Sequence, residues 1–346
     1  MPYNCTLAPP GSSCNADAPF SKFRVQAGKT YKMRVINAGA GSVLGFSIDD
    51  HELTIISNDF VDLIPYNTTM VQLGAGQRSD VIFTPQANGS VWMRAQSLGK
   101  FCSRSFNSAA RAVVLVNGAP ENTIPTTTAW PPPPDNGQCA NDPLSDTVPY
   151  YPLTPPTPSV TFDLTINQIT NETGHSLFVM NGSPFQGDFN DPILLLADEK
   201  NYSYPLDPKW NVVNFGTNSS IRVNVWNNNT SPHPMHLHGH QMWVLSSGPG
   251  QWDGSSIVNP QNPQRRDVHN LSPNGYMVLQ YNADNPGTWA FHCHIAFHLS
   301  QGLFMTFMER PEDIDQQQIP QVMKQTCTDW NAYTSKNVVD QIDSGV

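Results

Sequence analysis

Eight of the chain's ten histidines fall between His233 and His298, and seven of these sit in two short runs, HPMHLHGH at 233–240 and HCHIAFH at 292–298. On a β-strand, residues two apart point the same way and the residue between them points to the opposite face. In His292-Cys293-His294 the two imidazoles therefore face one site while the thiol faces another. The same rule aims His236 and His238 at a common side. Two strands of one sheet can thus offer four imidazoles to a shared site, with Cys293 serving a second site behind it.

The thiol side is completed by His298, five residues after Cys293, and by His233 from the other run. Two imidazoles and a thiolate with a weak or absent axial ligand form the blue-copper arrangement for electron transfer. Ten residues after the cysteine stands Leu303, which has no donor atom. Loss of an axial sulfur removes electron donation to Cu(II), so the expected potential is on the high side for such sites. Zinc also accepts Cys and His, but a structural zinc site has no need of seven candidate ligands split between two faces. His240 is expected to pack or hydrogen-bond behind the site, and His51, His175 and His269 are expected to be ordinary polar residues.

The surrounding sequence is all-β in character. FRVQ, TYKMRVI, GFSIDD, HELTIIS, MVQLGAG and SDVIFTP alternate apolar and polar residues between Gly, Pro, Asn and Asp breaks, the pattern of a β-sandwich. Residues 126–158 turn proline-rich, in TTTAWPPPPDNGQCANDP and VPYYPLTPPTP, and read as an extended interdomain linker. SVTFDLTI, SIRVNVWN, QMWVLSS, GYMVLQYN and GTWAFHC follow as a second set of strands. The expected organisation is two β-sandwich domains, 1–125 and 159–346, with a short surface helix near IDQQQIPQVMKQ.

With 13% charged residues and a formal net charge of −10, the chain has no basic footprint for nucleic acid, and no apolar run is long enough to span a bilayer. N-x-S/T triplets at Asn4, Asn67, Asn88, Asn171, Asn181, Asn201, Asn218, Asn228, Asn229 and Asn270 suggest surface loops of a glycosylated, secreted protein. The opening MPYNCTLAPP carries neither a basic nor an apolar leader, so either a mature product or a chain lacking an N-terminal part is expected. If Cys293 is a ligand, five cysteines remain, an odd number. Cys5 and Cys14 could close a short loop, Cys102 and Cys139 could tie the first domain to the linker, and Cys327 is left over.

At these residues the sequence resembles the multicopper oxidases, and within them the fungal laccases of the ascomycete type. TYKMRVINAG, FSIDDHELTII and GAGQRSDVIF are similar to the middle cupredoxin domain; HPMHLHGH, RRD, NPGTWAFHCHIAFHLSQGL and the terminal IDSGV are similar to the last one. The resemblance implies two tandem cupredoxin-like Greek-key domains. It makes His233, Cys293 and His298 the type 1 copper ligands, His236 a type 2 ligand, and His238, His292 and His294 type 3 ligands. It also implies that electrons from phenols or aromatic amines enter singly at type 1 copper, cross the His-Cys-His bridge and reduce O2 to water. Leu303 at the axial position fits laccases, and Asp343-Ser344-Gly345-Val346 is similar to their processed C-terminus.

Three departures from the family pattern shape the expectation. The family draws four further histidines from a first cupredoxin domain, in HWHG-like and HSH-like motifs that this sequence does not contain. The resemblance pairs Cys327 with a cysteine of that same domain. The segment AGAGSVLG between Asn37 and Phe46 has no carboxylate where many laccases place the acceptor of the phenolic proton. The first expectation is therefore a laccase-like oxidase lacking its N-terminal cupredoxin domain and half of its three-copper cluster, unable as written to complete O2 reduction. The second is a type 1 blue-copper module for electron transfer.

Overall fold

The computed structural model describes residues 5–86, 89–98, 102, 109–133, 138–203, 207–314 and 318–345. The chain divides into two compact units, Met1–Leu153 and Thr154–Val346. In the first, the strands are β1 (Lys22–Val25), β2 (Tyr31–Ile36), β3 (Leu44–Ile48), β4 (Leu53–Asn58), β5 (Val61–Thr68), β6 (Val71–Leu73), β7 (Arg78–Phe83), β8 (Gly89–Ser97) and β9 (Ala109–Val116). They form one sheet ordered β1-β9-β8-β3-β6 and another ordered β2-β7-β4-β5. Alternation explains how these sheets close on one another: in β7, Ser79, Val81 and Phe83 are buried while Arg78, Asp80 and Ile82 are not. The inward residues of both sheets, among them Ile48, Leu53, Ile55, Val81, Phe83 and Val114, share one core, as a sandwich requires.

The structure places the break between Leu153 and Thr154, and the described part of the proline-rich segment before it runs along the first unit. Trp130 Nε1 donates to the Ile48 carbonyl at 3.0 Å, Thr127 Oγ1 donates to Asp49 at 2.7 Å, and Ile64 N donates to the Val148 carbonyl at 2.8 Å. A disulfide from Cys102 to Cys139 fastens the same segment, and a second joins Cys5 to Cys14. Among the described residues Cys293 and Cys327 are the free cysteines.

In the second unit, β10 (Val160–Thr170), β11 (Ser176–Met180), β13 (Ser220–Asn227), β15 (Met242–Pro249), β16 (Gln264–Arg266) and β18 (Gly275–Asn282) make a sheet ordered β11-β10-β13-β18-β15-β16. β12 (Val212–Asn214), β14 (His233–Leu237), β17 (Val268–Leu271), β19 (Gly287–Cys293) and β20 (Phe304–Glu309) make the other, ordered β12-β20-β19-β14-β17. Phe307 of β20 lies between them, stacked on Phe291 at 5.0 Å and edge-on to Phe162 of β10 at 6.1 Å. Antiparallel pairing dominates, with β10 parallel to β13 and β12 parallel to β20. Short helices follow or interrupt the strands: α1 (Ile193–Asp198), α2 (Ala296–Ser300) and α3 (Pro311–Ile314). The expected surface helix is α4 (Gln321–Thr334), fourteen residues with none buried.

The glycosylation expectation needs correction at two positions. Asn270 lies within β17 and is 2% exposed, and Asn229 is 7% exposed, which leaves a glycan no room. Asn67, Asn181 and Asn228 are exposed; Asn4 and Asn88 lie outside the described residues. Among the described residues no helix is long and apolar enough to cross a membrane.

Candidate metal centre

The register of β14, β17 and β19 builds the site. Met235 lies opposite Cys293 and His236 lies opposite His292 across the β14–β19 pair. Directly opposed residues share a face and successive residues alternate. Cys293, Met235 and His233 therefore face one side of the sheet, and His236 and His292 face the other. One two-strand pairing thus separates two ligand groups by the thickness of a backbone.

On the first face His233, Cys293 and His298 each place a donor atom within 4.8 Å of the others. His233 Nδ1 and His298 Nδ1 are 3.1 Å apart, and Cys293 Sγ is 3.6 Å from His298 Nδ1. His298 is delivered by α2, which begins three residues after β19 ends at Cys293; the backbone of Leu303, fully buried, then donates to the His298 carbonyl and accepts from Cys293 N. Phe178 of β11 covers both rings, with centroids 5.1 Å from His233 and 4.5 Å from His298. Burial holds the His233 pKa well below the usual imidazole range, and the neighbouring His298 adds to this. Burial likewise pushes the Cys293 thiol up, against a weaker opposing hydrogen bond from Ile295 N to Sγ at 3.4 Å.

On the second face His236, His238 and His292 form a group of three whose donor atoms lie within 4.8 Å. His238 Nε2 and His292 Nε2 are 2.9 Å apart. His294 stands at the edge, its ring centroid 5.7 Å from His236 and 6.0 Å from His292; its donor atoms fall outside the tight group. Burial first, then the adjacent histidines, lowers His292 to about 4, and burial lowers His238 as well. Lowering both pKa values favours the neutral form of His238 and His292, which keeps a lone pair for a metal ion.

The hydrogen bonds decide which nitrogen is free. His233 Nε2 faces Asn229 Oδ1 at 3.2 Å, an acceptor, so this nitrogen carries the proton and Nδ1 is the donor atom. His236 Nδ1 faces the Asp267 carbonyl at 2.8 Å and His292 Nδ1 faces the Cys293 carbonyl at 2.9 Å. Both therefore present Nε2. A carbonyl or amide oxygen on the far nitrogen is the usual way a protein fixes the tautomer of a metal-binding histidine. The donor set fits copper: two imidazoles and a buried thiol that gives up its proton on binding metal on one face, imidazoles alone on the other.

The remaining histidines stay outside both groups. His51 is held by the Asp49 carbonyl, His175 by Thr173 and Asp343, and His269 faces Ser247 Oγ at 3.0 Å. His240 lies behind His238, its Nε2 2.9 Å from Glu309 Oε1. Sequence reasoning did not find Asn229 or Glu309. An asparagine four residues before a ligand and a glutamate at a strand end carry no spacing signal of their own.

Two sandwich units, with an imidazole–thiolate group backed by an all-imidazole group on one sheet, define a copper protein of the multicopper type. Family models described as multicopper oxidase match residues 3–120 and 154–313, and the chain belongs to the multicopper oxidase family. It is 33% identical to Laccase-1 of Botryotinia fuckeliana over 332 residues, 92% of this chain and 56% of that protein. It is 33% identical to Oxidoreductase OpS5 of Beauveria bassiana over 99% of this chain and 59% of that protein. Among solved structures, the L499M mutant of the laccase from B. aclada superposes with a TM-score of 0.88 at 28% identity, covering 99% of this chain and 63% of that one. The chain thus spans less than two thirds of the length of each of these relatives.

Proposed function

We propose that this chain forms the electron-accepting part of a laccase-like oxidase, with His233, Cys293 and His298 as type 1 copper ligands, His236 as a type 2 ligand, and His238, His292 and His294 as type 3 ligands. The observation that carries this reading is the pairing of His236 with His292 and of Met235 with Cys293, which sets the two ligand groups back to back. Copper, when bound, supplies one-electron acceptance from an organic reductant and the electron store that takes O2 to water.

The chain's own residues do the rest. Cys293 is fully buried, so water is kept from the thiolate, while half-buried His298 gives an outside donor its point of approach. Leu303, buried beside this group, would offer copper no donor atom. His292 Nδ1 donates to the carbonyl of Cys293, giving a route between the faces alongside the covalent one. The reductant we favour is a phenol or aromatic amine, the acceptor O2, and the location extracellular, in keeping with two disulfides and exposed sequons. Residues 1–346 bring four imidazoles to the second face, so a full three-copper group takes its other ligands from outside them.

A second reading, an electron-transfer copper module without oxidase activity, is favoured by the edge position of His294. An anaerobic titration of the copper-loaded protein with a phenol separates the two. Bleaching of the thiolate–copper band by the phenol, with copper bound on the imidazole face as well, supports the oxidase reading. Bleaching with copper bound on the thiolate face alone supports the module, and no bleaching contradicts both.

A further inference from the structure

His236 and His292 lie within strands, but His238 lies just past the end of β14, in a turn that is exposed at its surface. Something other than the strand ladder must hold it to the precision a ligand needs. Its backbone N donates to the Ala290 carbonyl at 2.9 Å, and its carbonyl faces His240 Nδ1 at 3.0 Å. Between them Gly239 takes φ +73°, and a side chain there would meet the Trp289 ring at 2.7 Å.

Both ends of this turn lead to one carboxylate. Glu309 is completely buried at the end of β20. Its Oε1 accepts from Asn285 N at 3.0 Å and faces His240 Nε2 at 2.9 Å. Asn285 in turn donates through Nδ2 to the Gly239 carbonyl at 3.1 Å, and its own carbonyl accepts from Trp289 Nε1 at 2.7 Å. Among the described residues Glu309 Oε2 has no hydrogen-bond partner. A buried carboxylate with one oxygen lacking a partner is costly, and the hydrogen bonds its other oxygen makes go to the two residues that hold the turn.

We propose that Glu309 is a positioning residue for His238, acting through His240 and Asn285 to fix the turn that aims this imidazole at His292. The inference rests on the copper reading above. Glu309 hydrogen-bonds both the His240 ring and Asn285 of the 283–287 loop, while Trp289 packs edge-on to the same ring and donates to Asn285. Loss of Glu309 acts on one face of the sheet and leaves the thiolate face as it was.

The test loads the purified protein with Cu(II) alone and reads two quantities: copper affinity of the imidazole face by chelator competition, and the Cys293-dependent visible band. Glu309→Ala should weaken the imidazole face by about 10-fold or more, the range seen when the partner of a metal ligand is removed, with the band unchanged. Glu309→Gln keeps the accepting oxygen and should return the affinity to within about 3-fold of wild type. Equal weakening of both faces, no change, or no recovery in Glu309→Gln overturns the proposal. If Glu309→Ala does not fold, Asn285→Ala decides: weakening confined to the imidazole face supports the proposal and unchanged affinity overturns it. A wild-type protein that binds no copper on the imidazole face contradicts the underlying reading instead.

Discussion

His292 and Cys293 are sequence neighbours whose side chains leave opposite faces of one strand, and His292 Nδ1 returns to donate to the carbonyl of Cys293 at 2.9 Å. That one hydrogen bond joins the two ligand groups and also fixes which His292 nitrogen is free. Removing the imidazole while keeping Cys293 should leave the thiolate site intact. His292→Ala is predicted to retain the visible thiolate–copper band and to lose at least about 10-fold in copper affinity on the second face; a vanished band would argue against two separable sites.

Asn229 holds His233 from the far side through Oδ1 and is itself buried. In Asn229→Ala, His233 Nε2 is left buried without its acceptor, and the ring loses its fixed tautomer. The thiolate site should bind copper about 10- to 100-fold more weakly, with the imidazole face unaffected. Chelator competition followed through the visible band measures this directly, and an unchanged affinity would show that Phe178 packing alone orients the ring.

Gly239 combines a positive φ with direct contact to Trp289. Gly239→Ala demands both a left-handed backbone for alanine and movement of a part-buried indole. A loss of about 1–3 kcal/mol is expected, read as a lower denaturant midpoint with unchanged slope. A midpoint equal to wild type would mean that Trp289 yields freely.

His269 is fully buried, and burial, with a smaller contribution from Arg266, lowers it to about 3. Its folded pKa lies below the ordinary value of 6.5, so the unfolded chain takes up the proton first as pH falls. Stability is therefore complete above about pH 6.5 and declines toward about pH 3, with a slope of up to about 1.4 kcal/mol per pH unit from this group. His269→Gln should flatten that slope by up to one proton in denaturant unfolding across this range; an unaltered slope would assign the acid sensitivity to other groups.

Much of the site was legible from alternation alone. Alternation required Cys293 and His292 to leave opposite faces, and the β14–β19 register does this, whereas His294 lies past the end of β19 at the edge of the imidazole group. The register itself was not legible, because nothing in either run states that Met235 rather than Pro234 lies opposite Cys293. His298 came from its distance to Cys293, yet α2 is five residues long and too short to leave a helical period. The proline-rich segment reads from sequence as an extended interdomain linker because its composition forbids central strands. Its side chains and carbonyls nevertheless find partners on the first unit, Trp130 with Ile48 and Thr127 with Asp49. Asn229 and Asn270 matched a glycosylation triplet, but a triplet carries no information about burial.

The most direct measurement is the paired visible and electron-paramagnetic-resonance spectrum of the copper-loaded protein before and after Cys293→Ser. Two ligand groups on opposite faces predict that the substitution removes the intense thiolate–copper band and its signal while copper held by His236, His238, His292 and His294 persists. A band that survives the loss of Cys293, or the disappearance of all bound copper together, would contradict the two-site account.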